Sequence, residues 1–339
     1  MIKLEQIRMS LIACSYGDAL GLQTEGLYNG RGRLMFPNPD RFYLLGHYGS
    51  TSDDYDHACM TVEAFLVANG NVTHFQKELA ERIKWWSLCI PGGIGLATLR
   101  SSIKLWLRCS PTKSGVFSAG NGPAMRSHIL GTLATDMEHL KNLVCASTQI
   151  SHTDPKALNG ALVVAIASRC SSLGITTGIE FLNELKHAFI GMPVDTTFLD
   201  TINLVVQSVI QQETTEAYCA RFYKNGVSGY MYNTVPAVIH AWLSHPLNVK
   251  HAVQAVISCG GDTDTTGSIV GGIVGASPKV VSDPSLTRNL ILWPRNLNYI
   301  ENLVMTPVKP KIHAWQYLCR NVWFNVVVLI HGLLRFVRS

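Results

Sequence analysis

The sequence predicts an all-α protein, and three observations support this prediction. Strand-like alternation of apolar and polar residues is scarce. Short segments rich in Gly, Pro, Asn and Ser punctuate the chain, as breakers between helices do. Apolar residues recur at helical spacing nearly everywhere, as in residues 2–16, 55–68, 73–86, 94–107, 155–170, 178–190 and 196–211. We therefore expect a compact, orthogonal bundle of helices.

The composition favours one domain over residues 1–339. With 47% hydrophobic and 15% charged residues, the chain can bury a large core. No linker, composition shift or internal repeat divides it. We expect residues 281–339 to close the helical core at its carboxyl-terminal end.

Charge and cysteine usage restrict the classes of function. The net charge of +5 is mild, and the basic residues form no run or aromatic-interleaved stripe, so we expect no nucleic-acid partner. The nine cysteines are odd in number and never spaced as C-x-x-C, which is typical of reduced thiols. Zinc and disulfide frameworks are therefore not expected, and the predicted location is the cytoplasm.

Two apolar tracts are candidates for membrane segments. "GSIVGGIVGA" is far shorter than the roughly 20 residues that span a bilayer, so it predicts a core helix. The tail "NVWFNVVVLIHGLLRFV" is longer but is interrupted by Asn321, Asn325, His331 and Arg335. This pattern favours a buried terminal helix over a membrane anchor. We therefore expect no membrane partner. The amino terminus has acid and base inside its apolar pattern, so a secretory signal is not expected either.

Two acidic stretches precede helical patterns. In "STSDD", Ser52 is a good N-cap, and Asp53 and Asp54 complement the positive end of a helix dipole. The same interpretation covers Asp262 and Asp264 in "GGDTDTTG". Taken alone, either stretch is more often a helix cap than a metal site.

Each stretch, however, offers two carboxylates beside a hydroxyl, Ser52 in the first and Thr265 in the second, which is more than capping requires. Behind the second stretch, Gly267, Gly271 and Gly275 recur every four residues, so a neighbouring helix can approach closely and the acids become buried. Buried carboxylates without a partner are costly, and a divalent cation would offset that cost. Hard oxygen donors suit Mg²⁺ or Mn²⁺, so the two stretches predict a two-metal site if they meet.

A third segment, "GNGPAMR" (residues 120–126), is a glycine-rich loop that opens a helix. Its backbone N–H groups could receive a diphosphate at the positive end of the helix dipole. A generic turn is the alternative interpretation.

Taken together and in order, six motifs resemble the ADP-ribosylglycohydrolase family. The resemblance covers about residues 5–280, and the last motif is the most specific. The motifs are "GDALGLQTEG" (17–26), "SDD" (52–54), "GNGPAMR" (120–126), "HTDP" (152–155), "GYMYNTVPA" (229–237) and "GGDTDTTGSIVGGIVGA" (260–276).

The resemblance implies an all-α fold with a binuclear Mg²⁺ or Mn²⁺ centre in a cleft that holds ADP-ribose. Carried over, the metal ligands are Ser52, Asp53, Asp54, Asp262, Asp264 and Thr265. Ser52 stands where the family usually has threonine. Residues 55–57 depart from the family pattern, so Asp56 or His57 facing the substrate is an open alternative.

The resemblance also implies roles for the cleft lining. Glu25 corresponds to an acidic loop residue beside the metals, and Tyr230 to an aromatic residue against adenine. His152 corresponds to a substrate contact, and Asn121, Gly122 and Ala124 to contacts with phosphate and ribose. Arg126 either braces the fold or touches ligand, and Asp18 is either structural or catalytic.

The implied reaction is hydrolysis of the bond between C1″ of ADP-ribose and a protein side chain, with arginine the expected acceptor. The candidates for the general base are Asp53, Asp54 and Glu25, in no fixed order. Two other functions stay open. One is an ADP-ribose-binding protein of the same fold that masks a partner such as an ADP-ribosylating toxin. The other is a two-metal phosphohydrolase, because paired carboxylates and a phosphate-binding loop fit that chemistry as well.

Overall fold

The structure is a computed structural model that describes residues 4–27, 31–44, 46–305 and 312–337. Nearly all of its regular structure is helical, so the all-α fold class is confirmed. Two short strands, β1 (Gly49–Ser50) and β2 (Leu290–Ile291), pair in parallel, and a 3₁₀ turn spans Pro284–Leu286.

The helices follow the predicted segments closely. In chain order they are α1 (Leu4–Leu22), α2 (Arg31–Met35), α3 (Asp53–Val67), α4 (Val72–Ser87), α5 (Leu96–Trp106), α6 (Gly122–Leu133), α7 (Met137–Ser151), α8 (Pro155–Ser172), α9 (Gly178–Phe189), α10 (Thr196–Ile210), α11 (Thr215–Phe222), α12 (Met231–Ser244), α13 (Val249–Ile257), α14 (Thr263–Gly275), α15 (Leu297–Met305) and α16 (Ala314–Val337). Each of the seven helical segments expected from apolar spacing is present, with ends that differ by at most six residues. The short α2 interrupts a stretch that was expected to be a loop.

Helices α1, α6, α8 and α14 form the centre of the molecule and are buried on nearly every side. A helix that is apolar or small around its whole circumference is typical of a core element. The outer helices bury one face only. In α4 that face carries Phe75, Leu79, Ile83 and Trp86 at helical spacing.

The tightest helix contact joins α1 to α14, and it depends on glycine. A Cβ added to Gly17 would lie 2.0 Å from the Gly267 carbonyl oxygen, and one added to Gly271 would lie 2.2 Å from that of Ala13. A Cβ on Gly275 would lie 2.6 Å from the Met9 carbonyl oxygen. The glycine repeat therefore allows the close backbone approach that its spacing predicts.

The terminal helix α16 is present, but the expectation that it is buried is wrong. Its inner face is largely polar: Arg320, Asn321 and His331 are buried there beside Phe324 and Val327. Its outer face is apolar and open to solvent, with Leu329 68% exposed. The polar interruptions point inward because they bond to backbone carbonyls of the domain, which leaves the apolar residues outside.

By length and composition alone, Ala314–Arg335 could cross a membrane, although only 28% of that window is buried in the structure. Crossing would, however, separate the Asn321 amide from the Cys89 carbonyl oxygen, 2.9 Å away. It would also leave the Arg320 charge in hydrocarbon. In this structure α16 lies along the domain and is held there by its polar face.

Replacing Gly271 with Ala is expected to lower the free energy of unfolding by about 2–3 kcal/mol, because the new methyl group meets the Ala13 carbonyl oxygen. The matched control is Gly332→Ala, in the exposed helix α16, where an added Cβ meets nothing within 4 Å. That control is expected to be neutral or stabilising by up to about 1 kcal/mol. Urea unfolding of both variants checks the difference, and equal effects would contradict the close-packing account.

Candidate active site

The site begins where α1 meets the start of α3. The Asp18 carboxylate, near the end of α1, accepts hydrogen bonds from the backbone N–H groups of Ser52 (2.8 Å) and Tyr55 (3.0 Å). These amides belong to the first turn of α3, which has no intrahelical acceptors for them. Asp18 therefore acts as a cap supplied by another helix, which favours its structural role over a catalytic one.

The two acidic stretches meet at Asp54. The Thr265 hydroxyl donates to Asp54 Oδ2 at 3.1 Å, and the Ser52 hydroxyl donates to the same oxygen at 3.3 Å. Ser52 also accepts from the Asp54 backbone N–H, so it is the N-cap of α3 as well. Residues more than two hundred positions apart are thus in direct contact, as the two-metal hypothesis requires.

Asp262 is the residue before α14, yet its side chain makes no capping hydrogen bond. Instead, the Asn121 side-chain amide donates to Asp262 Oδ2 at 2.6 Å. The same amide nitrogen lies 3.0 Å from the Thr234 hydroxyl, which fixes its orientation. In the first turn of α14, Asp264 accepts from the Thr265 backbone N–H at 2.9 Å. The capping interpretation therefore fails for Asp262, whose carboxylate is turned toward the glycine-rich loop.

Burial and mutual repulsion dominate the electrostatics of the cluster. Burial raises the pKa of Asp53, Asp54 and Asp264 well above the usual value, and neighbouring carboxylates raise it further. Burial also raises the pKa of Asp18 to about 7, against the opposing effect of its two backbone hydrogen bonds. Buried acids that repel one another are destabilising unless protons or a cation neutralise them.

One carboxylate oxygen in this cluster lacks a hydrogen-bond partner among the described residues. Asp54 Oδ1 is buried and has no hydrogen-bond partner in the ranges that the structure describes. A carboxylate oxygen in that position, beside two hydroxyl oxygens, is a donor set that suits a hard divalent cation. Within the same ranges, however, no group of three or more His, Cys, Asp and Glu side chains is arranged as a metal site. The fit therefore depends on the hydroxyls of Ser52 and Thr265 acting together with the carboxylates.

Glu25 lies at the solvent-exposed rim beside this cluster. Protein atoms around its carboxyl raise its pKa, and the negative charge of Asp262 raises it further, while Arg335 opposes the increase. The guanidinium of Arg335 donates to the Glu25 backbone carbonyl at 2.8 Å, which ties the rim to α16.

Three backbone bridges hold the loops that surround the carboxylates. They pair Val116 with His152, Gly120 with Tyr230, and Val227 with Gly261. Two glycines leave room beside the acids: a Cβ on Gly93 would lie 2.8 Å from Asp53 Oδ1, and one on Gly229 would lie 3.1 Å from Asp262 Oδ2.

The remaining residues expected to line the cleft differ in how exposed they are. Gly122 is half-buried at the start of α6, and a Cβ there would lie 3.2 Å from the ring of His152. His152 itself is buried, with Nδ1 2.9 Å from the Ser151 hydroxyl. Tyr230 is 38% exposed and available for stacking, with the Lys156 ammonium 5.8 Å from its ring centre.

Ala124 is a correction to the expected phosphate contacts. It is fully buried, and its backbone N–H donates to the Asn121 carbonyl at 2.8 Å. Neither its methyl group nor its amide can reach a ligand. Sequence position alone could not separate it from Asn121, because both belong to the same loop motif.

Asp56 and His57 do not face the cleft, so that alternative is also wrong. Asp56 accepts from Arg295 at 2.8 Å and from the Trp86 indole at 3.1 Å, both inside the protein. His57 is fully buried with its ring centre 4.7 Å from that of Trp86, and burial lowers its pKa well below the usual value. Both residues lie on the face of α3 that packs against α4.

Arg126 braces the fold. It is fully buried and donates to the Gly122 carbonyl (2.9 Å), the Ser147 carbonyl (2.9 Å) and the Ser151 hydroxyl (2.6 Å). Burial lowers its pKa to about 9. The guanidinium therefore ties the start of α6 to the end of α7.

Arg320, on the inner face of α16, is a residue that the sequence analysis missed. Its guanidinium donates to the carbonyls of Thr51 (2.5 Å) and Ser52 (3.1 Å), and it lies 3.5 Å from the Asp56 carboxylate. It thereby fixes the backbone that carries the first acidic stretch. The only sequence signal is a basic residue directly before the apolar tract that begins at Asn321.

Comparisons with known proteins identify the family of this chain. A family model described as ADP-ribosylglycohydrolase matches residues 2–282. The match identifies the class as enzymes that hydrolyse glycosidic bonds. Because it extends over most of the chain, the protein belongs to the ADP-ribosylglycohydrolase family.

Individual relatives are distant. An uncharacterized protein of Archaeoglobus fulgidus is 27% identical over 282 residues, covering 80% of this chain and 87% of its own length. The ADP-ribosylhydrolase ARH3 of Mus musculus is 25% identical over 191 residues, covering 48% of this chain and 50% of its own length, so the match spans about half of that relative. A solved structure of an ADP-ribosylglycohydrolase-related protein complex superimposes with a TM-score of 0.68 and 21% identity, covering 94% of this chain and 99% of its own. That likeness concerns the fold.

Replacing Arg320 with Met is expected to lower the free energy of unfolding by about 3 kcal/mol, because two buried carbonyls lose their donor and Asp56 loses one of its cations. The matched control is Arg335→Met on the same helix. Arg335 is half-exposed and donates to one carbonyl at the rim, so a loss within about 1 kcal/mol is expected. Denaturant unfolding compares the two variants, and a loss as small for Arg320 as for Arg335 would contradict its bracing role.

Proposed function

We propose that this enzyme is a divalent-metal-dependent ADP-ribosyl hydrolase that removes ADP-ribose from modified protein side chains. The observation that carries the proposal is the meeting of the two acidic stretches at Asp54, with its unpartnered buried oxygen. Membership of the family supports the hydrolase chemistry. We propose in addition the metal dependence, the acceptor residue and the roles of the individual catalytic residues.

The metal would be held by Ser52, Asp53 and Asp54 on one side and by Asp262, Asp264 and Thr265 on the other. When bound, Mg²⁺ or Mn²⁺ supplies Lewis-acid stabilisation and lowers the pKa of a coordinated water. The carboxylates contribute the negative charge that retains the cation. Asn121 supports this set from outside, because its amide donates a hydrogen bond to one oxygen of Asp262.

Cleavage of the C1″ glycosidic bond develops positive charge on the ribose, as in other glycoside hydrolyses. The buried carboxylates of Asp53, Asp54 and Asp264 stabilise that charge electrostatically in a low-dielectric site. A carboxylate must also take the proton of the attacking water. Asp53, Asp54 and Glu25 are the candidates, because their carboxyl groups lie in or beside the acidic cluster.

The surrounding loops suit the remainder of ADP-ribose. The start of α6 offers Gly122 and the positive end of a helix dipole to the diphosphate. Tyr230 presents an exposed ring for adenine. His152 lies against Gly120 and Gly122, which supports a role beneath the ribose or phosphate.

Arginine is the proposed acceptor, and a cytoplasmic location is proposed with it. A cognate ADP-ribosyltransferase toxin stays a prediction. The alternative of an inactive ADP-ribose-binding protein is disfavoured because each of the six proposed ligand positions carries an oxygen donor.

Asp54→Asn and Asp264→Asn are each expected to lower kcat/KM for release of ADP-ribose from ADP-ribosylated arginine by about a hundredfold or more. Both are also expected to abolish the increase in Tm that Mg²⁺ gives the unmodified enzyme, because a ligand that binds the folded state stabilises it. The matched control is Asp195→Asn, at the exposed N-cap of α10, where Asn caps equally well. Full activity in a variant that no longer responds to Mg²⁺ would contradict the proposed metal site.

Product analysis separates the proposed reaction from its rivals. Chromatography of the reaction with ADP-ribosylated arginine peptide is expected to show intact ADP-ribose. AMP or free phosphate would instead identify a phosphohydrolase. Tight binding of ADP-ribose with no product would identify a binding protein, and cleavage confined to a serine-linked peptide would correct the acceptor.

A further inference from the structure

Helix α16 turns polar side chains toward the domain and apolar side chains toward solvent, the reverse of the usual arrangement in an outer helix. Its inner face binds the domain through Arg320, Asn321 and Asn325. Its outer face carries an apolar stripe at helical spacing, formed by Trp315, Leu318, Val322, Val326, Leu329 and Leu333. Every residue of this stripe is exposed. A continuous apolar stripe of this kind marks an interaction surface.

Further exposed apolar residues lie after the end of α4 and on α5. Asn325 donates to the Ile90 carbonyl at 3.0 Å, and Ile90 is itself exposed. Next along the surface, the Trp85 and Trp106 rings pack edge to face with centres 5.0 Å apart. Leu107, at the end of α5, is 77% exposed. The apolar surface therefore extends beyond one helix.

The exposed charges on and near α5 are mainly basic. Residues 82–135 contain no acid, and Arg100, Arg108 and Lys113 are exposed there. Arg100 and Arg108 are exposed on and just after α5, among its apolar residues, and the Lys84 ammonium lies 5.1 Å from the Trp106 ring centre. Glu81, on the flank, is paired with Lys84 at 2.6 Å.

We propose that α16 and α5 form a surface that docks on a membrane containing anionic lipid, with α16 lying in the plane of the interface. Apolar side chains, tryptophan rings and exposed basic residues are the features of helices that bind such interfaces. An anionic bilayer complements the basic surface, whereas a second copy of this chain would bring like charges together. The polar face of α16 stays on the domain, so the helix does not cross the bilayer.

Docking in this way would hold the proposed active site beside the membrane. The opposite face of α16 contacts the backbone of Thr51 and Ser52 through Arg320, and Arg335 contacts Glu25 at the rim. Target proteins at the membrane surface would then be presented to the cleft.

The test is co-flotation of the full chain with vesicles of phosphatidylcholine alone or of phosphatidylcholine with phosphatidylglycerol. We expect binding to the anionic vesicles only, weakened by raising the salt concentration. Leu329→Glu combined with Leu333→Glu is expected to lower the partition coefficient by about tenfold or more. Arg100→Gln combined with Arg108→Gln is expected to lower it by about fivefold for each charge removed.

The matched control is Ile179→Glu combined with Leu204→Glu, which introduces the same charges at exposed apolar positions on α9 and α10. This control is expected to float as the unmodified chain does, and the thermal unfolding of every variant verifies that it is folded. No flotation of the unmodified chain, or equal flotation with neutral vesicles, would overturn the proposal. Light scattering tests whether a second copy of the chain occupies this surface instead. The membrane proposal would also be overturned if the unmodified chain binds no lipid and forms a dimer that Leu329→Glu combined with Leu333→Glu dissociates.

Discussion

The close backbone contact between α1 and α14 is the constraint on which the rest of the structure depends. Glycines on both helices allow carbonyl oxygens of one helix to lie where side chains of the other would otherwise be. This contact brings the end of α1 beside the start of α14. Asp18, near the end of α1, orders the beginning of α3. Asp264 and Thr265, at the start of α14, lie close to Asp54. One packing arrangement thus assembles both acidic stretches.

Such a cluster opposes folding, and the surrounding structure compensates for it. Four acids are buried close together, and each raised pKa reflects the free energy needed to keep a charge there. Asn121 and Arg320 offset part of this cost, the first by bonding to Asp262 and the second by ordering the backbone before Asp53. The buried carboxylates therefore destabilise the folded state when no cation is bound, and binding of a cation would relieve that destabilisation.

Much of this organisation could be predicted from the sequence, because helix periodicity and the glycine repeat are local patterns. The all-α class, the positions of the main helices and the approach of α14 to α1 follow from them. The orientation of single side chains could not be predicted. Ala124 lies in the same motif as Asn121, yet it is fully buried. Asp56 follows the acids by two residues, yet it turns inward to Arg295, a partner far away in the chain. The exposure of α16 was missed because polar residues in an apolar tract indicate two faces without indicating which face the domain covers.

The contacts of α16 also bear on how the protein can be shortened. The family match ends at residue 282, and a fragment cut there would look complete by sequence criteria. It would nevertheless lose Arg320, and with it the only guanidinium within reach of the Thr51 and Ser52 carbonyls in the described part of the chain. Anyone preparing a minimal catalytic fragment should therefore keep the terminal helix, since a residue beyond the end of the family match maintains the geometry of the first acidic stretch.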